Sequence, residues 1–203
     1  AGDIYTRVNE TANQELYRKL ETLGCEVWPA PFLVDIAQYG IEERLRRSLQ
    51  QRQAGLLLRN TVAHLWERLS TWQVLRHLDA DGAAWDEPDY DRSLAMAEPY
   101  VGRASMVLLQ WNVAKMVDFA QRGAAGVVNA VAQNCMVGTI SAAITRRIRE
   151  DHGGLPLVTL VYGVTESDAQ QTALEAFVHQ AKRFAATRLT SAAEAADVSP
   201  APP

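Results

Sequence analysis

One short stretch places a reactive side chain at a predicted helix start. Gly126–Ile144 (GVVNAVAQNCMVGTISAAI) begins as an apolar run, reaches Cys135 and continues through Gly138 and Thr139 with helical character. The helix dipole and the free N–H groups at a helix N-terminus favour a thiolate just before it. Thiolate is the form that attacks as a nucleophile or binds iron. A buried structural cysteine in a turn is the alternative interpretation.

The elements around this loop also favour a binding role. Val127–Val131 is apolar and β-branched, which predicts a buried strand that ends shortly before Cys135. The loop then lies at the carboxyl end of a strand, where open α/β sheets bind their ligands. We therefore expect the polar groups of this loop, Cys135 among them, to lie where a ligand could bind.

The sequence lacks several well-known catalytic and phosphate-binding motifs. There is no glycine-rich phosphate loop and no Gly-x-Ser-x-Gly elbow, and the four histidines show no i, i+4 pair. A cysteine nucleophile needs a base beside Cys135, and the only later histidines are His152 and His179. We expect the second cysteine, Cys25, to be a small buried hydrophobe.

The composition narrows the class of protein. The 203 residues are 48% hydrophobic and carry a formal net charge of -4, which argues against a nucleic-acid partner. No apolar run is long enough to span a bilayer, so we expect no membrane partner. Two distant cysteines form no disulfide framework, which favours a reducing, cytoplasmic location.

The order of predicted elements is strand, helix, strand, a long helical insertion, and then strand, helix, strand, helix. This order predicts an α/β fold: a Rossmann-like parallel sheet of about four strands with a large helical insertion. We predict one domain over residues 1–190, the insertion over 34–100 and a disordered tail over 191–203. The predicted strands are Ile4–Thr6, Cys25–Trp28, Val127–Val131 and Leu155–Tyr162.

Two local patterns add detail to this scheme. Thr11-x-x-Gln14 fits a capping box and predicts the start of the first helix. In the insertion, Leu45, Leu49 and Leu56 predict one apolar face, with Arg44, Arg47 and Arg52 largely off it. The arginines form either a solvated helix face or a basic binding face.

Both ends of the chain carry motifs of one known family. Later stretches that match its patterns are Gly123-Ala124-Ala125-Gly126-Val127, Cys135-Met136-x-Gly138-Thr139, Leu155-Pro156-Leu157 and Glu175-Ala176-Phe177. The matching residues near the start are Gly2, Ile4, Tyr5, Arg7, Asn13, Leu20, Glu21, Leu23, Gly24, Val27 and Trp28. Together they resemble the family of the D component of 2-hydroxyglutaryl-CoA dehydratase, and the helical stretch from Leu33 to Tyr100 adds little to the resemblance.

The resemblance implies an iron–sulfur domain of the 2-hydroxyacyl-CoA dehydratase and CoA-substrate-specific enzyme activase group. In that group a [4Fe–4S] cluster helps a one-electron radical dehydration of an acyl-CoA. The loop match makes Cys135 a cluster and metal ligand, in a cofactor-binding site that includes Gly138 and Thr139. A cluster needs about three or four thiolates. The implied partners are the rest of a parent chain or a dehydratase or activator subunit, with acyl-CoA as the small molecule.

Two alternatives remain open at this point. We expect the chain to be a C-terminal fragment of a longer protein, a lyase or its activator, and to be inactive in isolation. The other hypothesis is a non-catalytic α/β domain that binds a ligand or partner and carries a vestigial cysteine site.

Overall fold

The computed structural model describes residues 1–30, 32–76, 88–165 and 168–197. These residues form a mixed α/β structure that is mostly helical, with a small parallel sheet. The elements are α1 (Leu16–Thr22), α2 (Phe32–Gln50), α3 (Ala54–Leu75), α4 (Tyr90–Ala97), α5 (Val107–Gln121), β1 (Val127–Ala132), α6 (Met136–Asp151), β2 (Leu157–Tyr162) and α7 (Asp168–Asp197).

The chain divides into two compact units. The first contains Ala1–Ala30 and the chain from Met96 onward, including the sheet. The second contains Pro31–Ala95, most of the stretch that the sequence predicts as a helical insertion. In the first unit α7 continues to Asp197, and the remainder of the tail predicted to be disordered, 198–203, lies outside the described residues.

The sheet joins the two strands that flank α6. β1 and β2 pair in parallel, with Val127 opposite Leu157 and Ala132 opposite Tyr162. Parallel strands need a crossover, and α6 supplies it. At the other edge of β1, Asp3 N donates to Ala130 O at 2.8 Å, so the first residues run beside this strand without forming a strand of their own.

Two predicted strands, Ile4–Thr6 and Cys25–Trp28, are not strands in the structure, and the four-strand sheet is not seen among the described residues. The first deviates because the Asp3 carboxylate accepts hydrogen bonds from the N–H groups of Tyr5 and Thr6. These bonds turn the chain away from β1. The second, Cys25–Trp28, makes no ladder hydrogen bonds.

The first helix begins later than the capping box predicts. α1 starts at Leu16, and its N–H donates to Asn13 Oδ1 at 3.1 Å. Gln14 has a positive φ of 54°, which is incompatible with helix at the predicted start. The side chain of Asn13 therefore accepts the hydrogen bond at the helix start that the capping box predicts for Thr11.

Two apolar layers cover the two faces of the sheet. One contains Val113 and Met116 from α5 with Val127 and Ile148, and the other contains Phe177 from α7 with further side chains from α1. On the last helix, Leu174, Phe177, Val178 and Ala181 are buried in this second layer. On β2, Val161 is 46% exposed because this strand lies at an edge of the sheet.

In the second unit, α2 and α3 pack through polar side chains. Asn60 is buried, and its Nδ2 donates to Arg44 O at 3.2 Å and lies 3.4 Å from Ser48 Oγ. The predicted apolar face is wrong in part, because Leu49 and Leu56 are exposed. Other large apolar side chains exposed on α3 are Leu58, Val62, Leu65, Trp66, Leu69 and Trp72.

None of the helices in the described ranges is both long enough and apolar enough to cross a membrane.

Candidate functional site

Cys135 lies where the chain changes from strand to helix. β1 ends at Ala132, and Asn134 takes a left-handed conformation with φ 61° that reverses the chain. Cys135 N then donates to Ala132 O at 3.1 Å, which closes the turn. Cys135 itself is extended and serves as the N-cap of α6. The predicted strand–loop–helix arrangement around Cys135 is therefore confirmed.

The thiol of Cys135 points at the start of its own helix. Its Sγ accepts a hydrogen bond from Gly138 N at 3.4 Å, as an N-cap side chain does. The backbone oxygen of Cys135 accepts from Thr139 N at 2.9 Å and from Thr139 Oγ1 at 3.0 Å. Cys135 is half-buried, and its sulfur caps the N-terminus of α6.

Gly138 has a packing role that the sequence did not assign to it. It is buried, and a Cβ at this position would lie 2.7 Å from the Cβ of Val131. No side chain fits at that separation, so glycine allows the first turn of α6 to lie directly on β1. This contact fixes where the helix N-terminus, and with it Cys135, stands relative to the strand.

The carboxyl ends of both strands meet at this loop. Gln133 N donates to Tyr162 O at 2.8 Å, which continues the sheet by one bond beyond Ala132. Large apolar side chains around this edge face solvent: Met136 is 56% exposed and Val164 is fully exposed.

The other cysteine lies away from this site. Cys25 belongs to the segment 25–30 and lines a cavity together with Gly126 and Val127 at the start of β1. β1 has six residues, and at about 3.3 Å per residue its two ends are roughly 20 Å apart. Among the described residues no three His, Cys, Asp or Glu side chains come together as metal ligands. The described residues therefore fit one corner of a cluster and not a whole one.

The histidines needed by a cysteine nucleophile are also distant. His152 is the C-cap of α6, at the opposite end of a 16-residue helix that is about 24 Å long. His179 is exposed on α7, and its ring takes no part in the Cys135 turn. The geometry thus provides no general base for Cys135 from these two residues.

No family model, curated protein or solved structure matches this chain. The dehydratase and activase resemblance remains an expectation that rests on the motifs given above.

A buried polar network behind the site was missed by sequence reasoning. Asn129, at the centre of β1, is fully buried; its Nδ2 donates to Ser141 Oγ at 3.1 Å and to Thr159 Oγ1 at 3.2 Å. Ser141 in turn donates to Gly138 O at 3.0 Å. The network therefore ties both strands to the first turn of α6. The signal for it was an amide in the middle of an otherwise apolar strand.

A buried group of charges on α5 and near the N-terminus was missed as well. Lys115 is only 1% exposed, with Nζ 5.0 Å from the centre of the Trp111 ring. Burial lowers the pKa of Lys115 to about 7, with Asp118 opposing the shift and Arg7 adding to it. Asp118 is also buried and accepts from Arg122 Nε at 3.1 Å. The only signal in the sequence is two charged residues within an apolar helix.

Proposed function

We propose that this chain is a domain of a 2-hydroxyacyl-CoA dehydratase or activase-type protein in which Cys135 supplies one thiolate to a [4Fe–4S] cluster. The observation that carries the proposal is the position of Cys135. Its sulfur stands at the N-terminus of α6, on the edge where β1 and β2 both end. Both the helix dipole and the position at the carboxyl end of parallel strands favour an anionic ligand there.

The residues of this chain would have separate tasks at such a site. Cys135 would hold iron through Sγ, while Gly138 N would donate to that sulfur and lower the electron density on it. Thr139 would keep the turn in place through its two bonds to the Cys135 oxygen. When bound, the cluster supplies the single-electron chemistry that the resemblance assigns to dehydration of an acyl-CoA.

The remaining ligands would come from the parent chain or from a dehydratase or activator subunit. Such a partner would cover the exposed side chains of Met136 and Val164 at this edge. We also infer that the sheet of the intact protein has about four strands. The bond from Asp3 to Ala130 would begin the third. We place the protein in the reducing cytoplasm, where thiolates remain available.

Anaerobic reconstitution of the intact protein with iron and sulfide tests this proposal. Cys135→Ser keeps a capping oxygen but replaces the soft ligand, and Cys25→Ser is the matched control at the other cysteine. We expect wild type and Cys25→Ser to bind equal amounts of iron and Cys135→Ser to bind less. Equal iron in all three proteins would exclude Cys135 as a ligand, and iron-free wild type would exclude the cluster.

The second candidate function is a non-catalytic α/β domain that binds a ligand, with Cys135 as a capping residue only. The observation that favours it is the cavity near Cys25, which lies at the other end of β1 from Cys135. A protein that binds no iron but retains a ligand in this cavity would fit the second function and not the first.

A further inference from the structure

In the second unit, α3 buries a polar side and exposes an apolar side. Asn60 and Glu67 are 9% and 5% exposed, and Asn60 Nδ2 donates to Arg44 O on α2. The large apolar side chains on the other side of α3 are between 55% and 71% exposed: Leu58, Val62, Leu65, Trp66, Leu69 and Trp72. A helix of a globular protein normally turns its apolar stripe toward a core. On α3 this arrangement is reversed.

The spacing of these apolar side chains is that of a coiled-coil seam. Steps of four, three, four and three residues separate five of them, which we call the α3 seam: Leu58, Val62, Leu65, Leu69 and Trp72. This alternation corresponds to the a and d positions of a heptad, which lie along one narrow line of a helix. In a coiled coil such a line contacts one facing helix, whose side chains fill the spaces between its residues. The spacing therefore favours a helix as the occupant.

The exposed apolar area of α3 is close to the area that one partner buries in a stable complex. The exposed fractions of the six side chains correspond to about 700 Å² per chain, and a specific interface buries roughly 800 Å² on each partner. The largest apolar patch on a typical monomer measures about 300–600 Å². The surface of α3 thus exceeds what a monomer usually exposes and supplies most of one half of a dimer interface.

The sizes of the residues along α3 fit a second, antiparallel copy of the same helix. When Val62 packs beside Leu65 of the second copy, Gly55 comes to lie opposite Trp72 of the second copy. No described residue would lie within 4 Å of a Cβ on Gly55, so this end of the helix has room for an indole ring. A parallel pair would stack two Trp72 rings in one layer and two glycines in another, which leaves one layer overfilled and one empty.

The charges beside the seam fit the same pairing. Within the length of the α3 seam the exposed charged side chains are Arg59 and Arg68. In the antiparallel register above, Arg59 lies beside Trp66 of the second copy, and a guanidinium stacks favourably on an indole ring. Arg68 lies beside Thr61 of the second copy. A shift by one heptad in either direction would bring one of these arginines against its own counterpart, so repulsion disfavours the neighbouring registers.

We propose that the α3 seam pairs with the α3 seam of a second copy of this chain, as an antiparallel two-helix contact. α2 stays packed on the polar side of each α3 through the hydrogen bonds of Asn60. The contact uses the second unit, whereas Cys135 belongs to the first. The inference therefore stands whether or not Cys135 binds iron.

Sedimentation equilibrium of the 203-residue chain tests the proposal. We expect twice the chain mass of 22.4 kDa at micromolar concentrations, with dissociation on dilution. Leu65→Glu places a charge in the middle of the seam, and a carboxylate buried among apolar side chains is costly, so the dissociation constant should rise by at least about tenfold. Leu189→Glu makes the same change at an exposed leucine of α7 and should leave the mass unchanged.

Three results would overturn the proposal. The first is a wild-type chain that stays monomeric, including one that binds instead to vesicles of phosphatidylserine and phosphatidylcholine, which would assign the seam to a membrane surface. The second is a dimer that survives in Leu65→Glu. The third is a dimer that Leu189→Glu weakens as much as Leu65→Glu does.

Distances between spin labels test the direction of the pairing and leave the seam intact. The label is attached through Gln73→Cys, at an exposed position beside the seam, in a chain with serine in place of Cys25 and Cys135. In the antiparallel register the two attachment points are offset by about 19 residues, which is roughly 28 Å at about 1.5 Å per residue. A parallel pair would place them about 10 Å apart, which would overturn the antiparallel contact.

The label distance also decides the matter if Leu65→Glu does not fold, as circular dichroism would show. A distance near the expected value supports the pairing of two α3 helices. A signal without any dipolar interaction would mean that the labelled helices do not meet and would overturn the proposal.

Discussion

Asn112 on α5 donates a hydrogen bond from Nδ2 to Asn129 Oδ1 on β1, at 3.1 Å and with both side chains buried. Asn112 Oδ1 in turn accepts from Gly2 N at 2.7 Å. A single amide pair therefore links α5, the first residues of the chain and the centre of the sheet. A buried polar group that loses its hydrogen-bond partner lowers the free energy of unfolding. The contribution of this network to stability can therefore be measured.

Replacing Asn129 with Leu should strongly destabilise the first unit. The variant leaves Asn112, Ser141 and Thr159 without one hydrogen-bond partner each, and a buried polar group that loses its partner costs about 1–3 kcal/mol. We expect a loss of about 2–4 kcal/mol in the free energy of unfolding, measured by urea denaturation. The exposed Gln121→Ala on α5 should change it by less than about 0.5 kcal/mol. An Asn129→Leu protein as stable as wild type would contradict the network.

A glycine-to-alanine substitution should lower the stability of the protein in one helix, α6, and raise it in another, α2. At Gly138 the new methyl group meets Val131 at 2.7 Å, and overpacking of this kind costs about 1–3 kcal/mol. At Gly40 in α2 nothing lies within 4 Å, so the change gains about 0.5–1 kcal/mol of helix propensity. Thermal unfolding followed by circular dichroism measures both. A Gly138→Ala protein that gains stability would show that α6 does not lie against β1 as described.

Lys115→Met should stabilise the protein and change how its stability depends on pH. The folded pKa of Lys115 is lowered by burial from 10.5 to about 7, so between these values the unfolded chain binds one more proton than the folded chain. The contribution of this lysine to stability therefore rises with pH from about 7 to 10.5.

The stability of Lys115→Met lacks this rise, so the variant exceeds wild type in free energy of unfolding by the largest amount below pH 7. Above pH 7 this difference should shrink by up to about 1.4 kcal/mol per pH unit. Urea denaturation of both proteins at pH 6, 8 and 9 checks the trend. A difference that stays constant across these pH values would mean that Lys115 keeps its proton in the folded chain.

Cys135→Ala and Cys135→Ser should differ in stability, because only serine keeps a side-chain acceptor for Gly138 N. Loss of an N-cap acceptor costs about 0.5–2 kcal/mol, while serine is among the preferred capping residues. We expect Cys135→Ala to unfold at lower urea concentration and Cys135→Ser to match wild type. Equal losses in the two variants would indicate that the sulfur contributes through packing and not as a cap.

The sequence predicted the elements nearest to Cys135 because their patterns are strong and local. The apolar run of β1 and the turn at Cys135 each need only their own residues to be recognised. The packing role of Gly138 was not predictable in the same way. It depends on Val131, seven residues earlier, and on how closely a helix and a strand approach.

Longer-range relationships explain the expectations that failed. The alternation in Cys25–Trp28 turns Cys25 and Val27 toward the interior, as in a strand, yet these side chains line a cavity and no ladder forms. A pattern of period two fixes which side chains face inward, whereas pairing needs a second strand within hydrogen-bond distance. Arg7 and Lys115 lie near each other although they are far apart in the sequence, so local patterns could not predict their burial.

The electron paramagnetic resonance spectrum of the reduced, reconstituted intact protein tests most directly whether Cys135 is a cluster ligand. Serine at position 135 would place an oxygen on one iron, so we expect shifted g values or a lost signal for Cys135→Ser. We expect an unchanged spectrum for Cys25→Ser. A cluster signal in Cys135→Ser that is identical to that of wild type would show that Cys135 is not a ligand.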